Sequence, residues 1–212
     1  MAMETLIETV RVRNGVAPLW ELHLRRLTAS CRALGVPIPV ELPPPAGGND
    51  RVHRVLVSRR GAMAGERPVG STAPVRLMVS KVVYKPYPHK LVDRERFDRT
   101  VAAAKEAGFD DGILLTTGGI VAETAIWGLF WWEDDTLCAP AFELGVLPGV
   151  ARARIAELGR EPEQRQATMD QIRGRSLFVA NAARGIVPVA TLEGVAVPPH
   201  PSTEALAERF WP

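Results

Sequence analysis

Two turn signatures in the second half of the chain most constrain how it can fold. Gly118-Gly119 and Asp134-Asp135 each stand between two short apolar runs, a pattern typical of tight turns between antiparallel strands. The flanking runs are 112–117 with 120–126, and 129–133 with 136–139. The pattern combines hairpins with helices and contains few units in which a helix connects two parallel strands. The pattern therefore predicts an α+β fold.

Apolar residues recur at helical spacing in two longer segments. We predict a helix over 20–34, ended by Gly35, and a second over 94–107 with Asp93 as its N-cap. Shorter helices are predicted from Pro148-Gly149 to about 158 and from about Thr203. Further strands are predicted at 8–13, 52–59, 75–83, 176–180 and 186–192.

A proline-containing segment divides the chain into two predicted lobes. Residues 84–88 (YKPYP) show no helical period and are predicted as an interdomain linker. Residues 1–83 would then form a small N-terminal α/β lobe. Residues 89–212 would form a larger C-terminal lobe, a mixed, barrel-like sheet with helices. Because clefts between lobes are common ligand sites, we expect the functional site near the linker.

Charge and composition narrow the class of protein. The 212 residues include 26 basic and 24 acidic side chains, a net charge of +2, which does not favour a nucleic-acid partner. No run of apolar residues is long enough for a membrane-spanning helix, and the first ten residues do not resemble a signal peptide. Two distant cysteines, Cys31 and Cys138, are typical of a cytoplasmic protein with free thiols. Four isolated histidines argue against a metal site.

Lysine is rare in this chain and unevenly placed. There are four lysines against 22 arginines, and Lys81, Lys85 and Lys90 fall within ten residues of one another. Arginine does not deprotonate in proteins, so a retained lysine suggests a need for an amine. A buried Lys90 would have a lowered pKa and could attack a carbonyl. Taken alone, however, a single lysine is more often an exposed surface charge.

Three other positions could serve an anionic or cationic ligand. Glu123 lies in an otherwise apolar strand, where it is either an outward, hydrated side chain or a carboxylate facing a cationic ring. The turn at 147–150 opens a helix whose free N–H groups could bind phosphate, or it is an ordinary helix start. Arg26 is either a phosphate ligand or one more surface arginine on the first helix.

Six short blocks in one order resemble the class IV (fold type IV) aminotransferases, which use pyridoxal 5′-phosphate. The resemblance extends over nearly the whole chain. The blocks are ETVR at 8–11, HLRRL at 23–27, HKLVDR at 89–94, GIVAE at 119–123, LPGVAR at 147–152 and NAARGI at 181–186. It implies a two-lobed enzyme that works as a homodimer.

The resemblance also implies a role for each candidate. Lys90 would hold the cofactor covalently and move protons at the substrate Cα, while Glu123 would pair with the protonated ring nitrogen. The remaining assignments follow the same motifs. The phosphate would be bound by Arg26, Val150, Ala151, Ala182 and Ala183, and the substrate by Arg11, Asn181 and Arg184.

Within the family, NAARGI and the Asp93-Arg94 pair after Lys90 look most like 4-amino-4-deoxychorismate lyases. These enzymes make 4-aminobenzoate and pyruvate for folate synthesis. The alternative is an aminotransferase acting on branched-chain or D-amino acids. A third possibility is a catalytically impaired member, because Ala151 and Gly128 replace the usual Thr and Asn, and the usual opening hairpin is missing.

Overall fold

The computed structural model describes residues 4–39 and 42–212, so the first three residues of the predicted N-terminal lobe, and residues 40–41, lie outside it. The strands are β1 (Leu6–Val12), β2 (Arg51–Ser58), β3 (Gly61–Arg67), β4 (Val75–Val83), β5 (Asp111–Leu115), β6 (Val121–Thr124), β7 (Gly128–Glu133), β8 (Thr136–Pro140), β9 (Glu163–Arg165), β10 (Leu177–Asn181), β11 (Gly185–Leu192) and β12 (Val195–Ala196). The helices are α1 (Trp20–Leu34), α2 (Glu95–Glu106), α3 (Val150–Glu157), α4 (Met169–Ile172) and α5 (Pro201–Arg209). The predicted α+β class is confirmed.

A small antiparallel sheet, in the order β1-β2-β3, carries helix α1 on one face. Leu27 and Cys31 of α1 pack against Val55 and Val57 of β2, because both sets lie on the apolar faces of their elements. The predicted bounds of α1 are confirmed, and Gly35 ends it in the left-handed conformation. Strand β3 gave no signal in the sequence, since all seven of its residues are exposed.

The larger sheet has nine strands, mixed in direction, in the order β6-β5-β4-β11-β10-β7-β8-β9, with β12 paired to β11. Both predicted hairpins are present, β5 with β6 and β7 with β8. Only residues 125–127 join β6 at one edge to β7, the sixth strand along. Five strand spacings would place them about 24 Å apart in a flat sheet, whereas this link reaches about 14 Å. The sheet must therefore curl, as the barrel-like prediction requires.

Two details differ from the expected organisation. Strand β4 precedes the predicted linker but pairs with β5 and β11 in the larger sheet. That placement corrects its assignment to the small lobe, while the division of the chain into domains stays a prediction. Asp93 is not the N-cap of α2: Arg94 holds that position, and no side chain caps the helix.

Among the described residues, no helix is both long and apolar enough to cross a lipid bilayer. Cys31 and Cys138 are both buried as free thiols.

Candidate active site

A cavity of about 360 Å³ lies between the two sheets. Ile7, Thr9 and Arg54 line it from the small sheet, while Glu123 and Asn181 line it from the larger sheet. Its volume lies in the range of small-molecule sites, roughly 300–1,000 Å³. The cavity is therefore a place where residues distant in the sequence meet.

Lys90 lines this cavity and its backbone is fixed from two sides. The carbonyl of Lys90 accepts the N–H of Ile7 at 2.8 Å, so the segment adds to the edge of β1. The next residue, Leu91, donates its N–H to the Tyr87 hydroxyl at 2.7 Å. The other three lysines, at 81, 85 and 105, are all exposed. Only Lys90 combines a lysine amine with a place in the cavity.

Burial, together with the charges of Arg26 and Arg94, lowers the pKa of Lys90 to about 7. Glu8 and Glu123 act in the opposite direction. The residue keeps partial exposure because its side chain faces the cavity and not the bulk solvent. At neutral pH a large share of this amine is therefore uncharged and able to act as a nucleophile or base.

Glu123 faces the same cavity and is only 8% exposed. Burial raises its pKa to about 7, although the Tyr84 hydroxyl and the charges of Lys90 and Arg94 oppose the shift. Its Oε1 atom has no hydrogen-bond partner among the described residues. The hydrated, outward alternative for Glu123 is wrong; the carboxylate is buried and has unused capacity to pair with a cation.

The N-terminus of α3 opens onto the cavity. Val150 and Ala151 line it, and the first bond of the helix runs from Ala153 N–H to Gly149 O at 3.1 Å. The N–H groups before Ala153 therefore lack partners within the helix and suit an anion.

Arg152, in the first turn of α3, was not singled out by its sequence. It is 8% exposed and lines the cavity, yet its only hydrogen bond to another described residue runs from Nη1 to Pro140 O at 2.7 Å. Its guanidinium lies 3.9 Å from the Phe142 ring centroid. Burial lowers its pKa to about 10. It adds positive charge beside the end of the helix.

The turn between β10 and β11 brings Ala182 and Ala183 to the cavity. The Asn181 side chain accepts the N–H groups of Ala183 and Arg184 at 3.0 and 2.9 Å. This local turn is typical of asparagine. The Ala183 N–H is therefore already engaged, and Asn181, which was predicted to bind substrate, uses its side-chain oxygen to shape the turn.

Arg11, predicted to contact substrate, does not line the cavity. Its Nη2 forms an ion pair with Asp50 at 2.5 Å, and Nη1 donates to Ala183 O at 3.4 Å. The structure therefore does not bring Arg11 to the cavity with the other predicted residues. No sequence pattern indicated that Asp50, 39 positions away, would be its partner.

Five of the six arginines that line the cavity have no ion-pair partner among residues 4–39 and 42–212: Arg54, Arg67, Arg94, Arg152 and Arg184. Arg94 and Arg152 each donate to a backbone carbonyl, that of Ala125 and that of Pro140. Arg184 stacks over Trp127, 4.3 Å from the ring centroid, and donates to Ser71 O at 3.3 Å. Burial lowers the pKa of Arg184, and the charge of Arg67 lowers it further. Only Arg184 was predicted. Arg54 offered a signal, since it interrupts an apolar strand, whereas Arg67 lies on the unpredicted β3.

The cavity as a whole is strongly basic. Within the part of the chain that the structure describes, one acidic residue, Glu123, lines it together with seven basic ones: Arg26, Arg54, Arg67, Lys90, Arg94, Arg152 and Arg184. Such a balance suits an occupant with several negative charges.

Comparisons with known proteins identify the family of the chain. Residues 50–192, more than half of the chain, match the family model "Amino-transferase class IV". The branched-chain-amino-acid aminotransferase of Escherichia coli (strain K12) is 30% identical over 99 residues, which cover 44% of this chain and 32% of that protein. The match thus spans about a third of the curated relative.

Two solved structures show the same fold. A 4-amino-4-deoxychorismate lyase from Pseudomonas aeruginosa has a TM-score of 0.83 at 24% identity, covering 98% of this chain and 90% of that one. An aminotransferase from Brucella abortus, described as bound to the cofactor PLP, has a TM-score of 0.80 at 17% identity, covering 97% and 87%.

The residues present fit pyridoxal phosphate. Lys90 supplies the amine, the unpartnered oxygen of Glu123 suits a protonated ring nitrogen, and the free N–H groups of Val150 and Ala151 suit a phosphate. All four residues line one cavity. With this site and a family match over residues 50–192, the chain belongs to the class IV aminotransferases, a family whose cofactor is pyridoxal phosphate.

Proposed function

We propose that the protein is a pyridoxal phosphate-dependent lyase that converts 4-amino-4-deoxychorismate to 4-aminobenzoate and pyruvate. The observation that carries this proposal is a group of three of the unpaired arginines, Arg54, Arg67 and Arg184, which reach the cavity from the small sheet and from the turn after β10. Arginine suits bidentate pairing with carboxylates. The proposed substrate has two carboxylates, whereas a branched-chain amino acid has one and an apolar side chain that gains nothing from extra arginines.

The placement of the arginines supports binding of substrate and not of the cofactor phosphate. Arg54 lies opposite Thr9 in the register of β1 and β2, and both line the cavity. Arg67 lies on β3, and Arg184 belongs to the turn after β10. Arg26 on α1 and the N–H groups at the start of α3 lie elsewhere. Of the residues predicted to bind phosphate, only Ala182 and Ala183 share a turn with Arg184, and the Ala183 N–H is already engaged by Asn181.

Each side chain of the site would have a separate role in the proposed reaction. When bound, the cofactor supplies an electron sink for the pair released at the substrate Cα. Lys90 Nζ, with its pKa near 7, would remove the Cα proton and later return a proton. Glu123 would hold the proton on the ring nitrogen, and that cation would in turn favour the ionised carboxylate. Arg26 and the α3 N-terminus would bind the phosphate.

A second candidate is an aminotransferase acting on branched-chain or D-amino acids. The 30% identity to the E. coli enzyme supports it. So does the apolar part of the cavity wall, which includes Phe97, Leu129 and Val146. A third candidate, a catalytically impaired member, is motivated by Ala151 at the phosphate end. For each candidate we also propose a cytoplasmic homodimer, as in the family.

The test compares the two reactions on one protein loaded with cofactor. We expect 4-aminobenzoate and pyruvate from 4-amino-4-deoxychorismate. The Arg67→Gln variant should raise KM about tenfold or more, since a charged hydrogen bond is lost. Arg60→Gln is the matched control, because Arg60 is exposed in the β2–β3 turn and does not line the cavity.

The other outcomes decide against the lyase. Turnover of a branched-chain or D-amino acid with a keto acid, and no pyruvate from 4-amino-4-deoxychorismate, would establish the aminotransferase. A protein that binds cofactor and performs neither reaction would be the impaired member.

A further inference from the structure

A buried cluster lies behind the cavity, where β1 packs on α1. It comprises Glu8, His23 and Arg26, and its members are 3% (Glu8), 1% (His23) and, for the Arg26 side chain, 9% exposed. Glu8 shares a strand face with Leu6, which packs against α1, while the neighbours Ile7 and Thr9 face the cavity. His23 and Arg26 are three residues apart, so they project from one side of the helix.

Arg26 donates hydrogen bonds to both carboxylate oxygens of Glu8. Its Nε donates to Glu8 Oε1 at 2.9 Å, and its Nη2 donates to Glu8 Oε2 at 2.5 Å. This two-point pairing fixes the plane of the guanidinium. Nη1 has no partner in the described part of the chain, although Arg26 lines the cavity. The remaining donor is therefore held in one direction.

His23 in turn fixes Glu8. Its Nδ1 lies 2.6 Å from Glu8 Oε2. Burial lowers the pKa of His23, so the ring is neutral at neutral pH and its Nδ1 proton is the one donated. Burial would raise the pKa of Glu8, but the charge of Arg26 and the His23 hydrogen bond outweigh it and hold that pKa at about 2. Glu8 thus stays ionised across the range in which the protein works.

We propose that Glu8, oriented by His23, is a positioning residue that aims Arg26 at the phosphate of the cofactor. This proposal rests on the pyridoxal phosphate site and is independent of the reaction catalysed there. Neutralising a buried arginine would not require Glu8 to accept from both Nε and Nη2 of Arg26. Nor would it require His23 as a second donor to the same carboxylate. The arrangement instead removes the rotational freedom of Arg26 before the phosphate binds.

The test measures binding and needs no turnover. The cofactor-free protein is titrated with pyridoxal 5′-phosphate and, separately, with pyridoxal, which has the ring and aldehyde but no phosphate. In Glu8→Gln we expect the Kd for the phosphorylated ligand to rise about tenfold or more, and the Kd for pyridoxal to change less than twofold. A loss of general folding would weaken both ligands alike.

Two further sets of variants keep the test decisive. Glu157→Gln is the matched control. It breaks an exposed ion pair, at 2.8 Å, between Glu157 of α3 and Arg25, the residue that precedes Arg26 on α1. It should change neither Kd. His23→Asn keeps a side-chain N–H near the Nδ1 position, whereas His23→Leu removes it. We expect His23→Asn to retain more of the preference for the phosphorylated ligand.

These variants also cover the case in which Glu8→Gln does not fold. The proposal is overturned if a folded Glu8→Gln or His23→Leu protein keeps its wild-type ratio of the two Kd values. It is likewise overturned if both ligands lose affinity equally in a folded variant. Failure of the lyase assay would leave these binding ratios unchanged, so the two proposals fail separately.

Discussion

Lys90 and Glu123 have pKa values shifted toward each other by the same cause, burial in one cavity. The lysine falls to about 7 and the carboxyl rises to about 7. Without a ligand, burial favours the uncharged form of each group. Each group can therefore pair with a charge that a ligand brings into the cavity. The scarcity of lysine made Lys90 identifiable from sequence. The burial of Glu123 was not, because strand alternation alone leaves either face open.

The raised pKa of Glu123 predicts a pH-dependent effect of removing its charge. Because the folded-state pKa is raised, the stability it contributes is complete below about pH 4.5 and is lost as pH rises through about 7. In Glu123→Gln that loss is absent. In the cofactor-free protein, the variant should therefore gain stability over the wild type between pH 5 and pH 8, on the order of 2–3 kcal/mol. Urea unfolding at the two pH values measures it.

Glu133→Gln is the control, because its effect on stability should depend on pH in the opposite direction. The Trp131 N–H and the charge of Arg165 lower the pKa of Glu133. Its contribution is therefore present above its usual pKa and lost in acid. This variant should lose stability relative to the wild type as pH rises through the acid range toward 4.5, and should change little between pH 5 and pH 8. The same trend in both variants would contradict the burial argument for Glu123.

At the scale of elements, sequence patterns predicted the helices and strands whose bounds depend on neighbouring residues. Helix α1 has the predicted bounds because its apolar stripe and Gly35 are both local signals. Strand β3 was missed because it has no apolar face. The segment 84–88 was predicted as a linker, yet Tyr84 and Tyr87 both bond to Gly145 O at 2.8 Å. That contact joins residues sixty positions apart, which no local pattern reports.

The close approach of this segment to Gly145 predicts a specific destabilisation. Gly145 has a φ of +74°, and a Cβ there would lie 2.6 Å from Pro86 Cβ. Gly145→Ala should therefore be less stable than Gly159→Ala by about 1–3 kcal/mol in urea unfolding. Gly159 has a similar φ, +81°, but nothing within 4 Å, so it isolates the backbone cost. Equal losses would show that the contact with Pro86 does not constrain the segment.

At the scale of the whole molecule, the site exists because the large sheet curls and faces the small sheet. The short link from β6 to β7 brings Glu123 toward the middle of the sheet, while pairing with β1 fixes Lys90. The sequence motifs supplied Lys90, Arg26, Glu123 and the start of α3. They did not contain Arg54 or Arg67 and did not single out Arg152, because the roles of these residues depend on which strands and turns meet across the cavity.

The central claim is that Lys90 is the residue that holds the cofactor. Borohydride reduction of the protein loaded with pyridoxal phosphate fixes the cofactor permanently to its lysine, and peptide mapping by mass spectrometry then locates it. The account predicts the added mass on the peptide containing Lys90 and on no other. An adduct on the exposed Lys81 or Lys85, or no adduct at saturating cofactor, would contradict it.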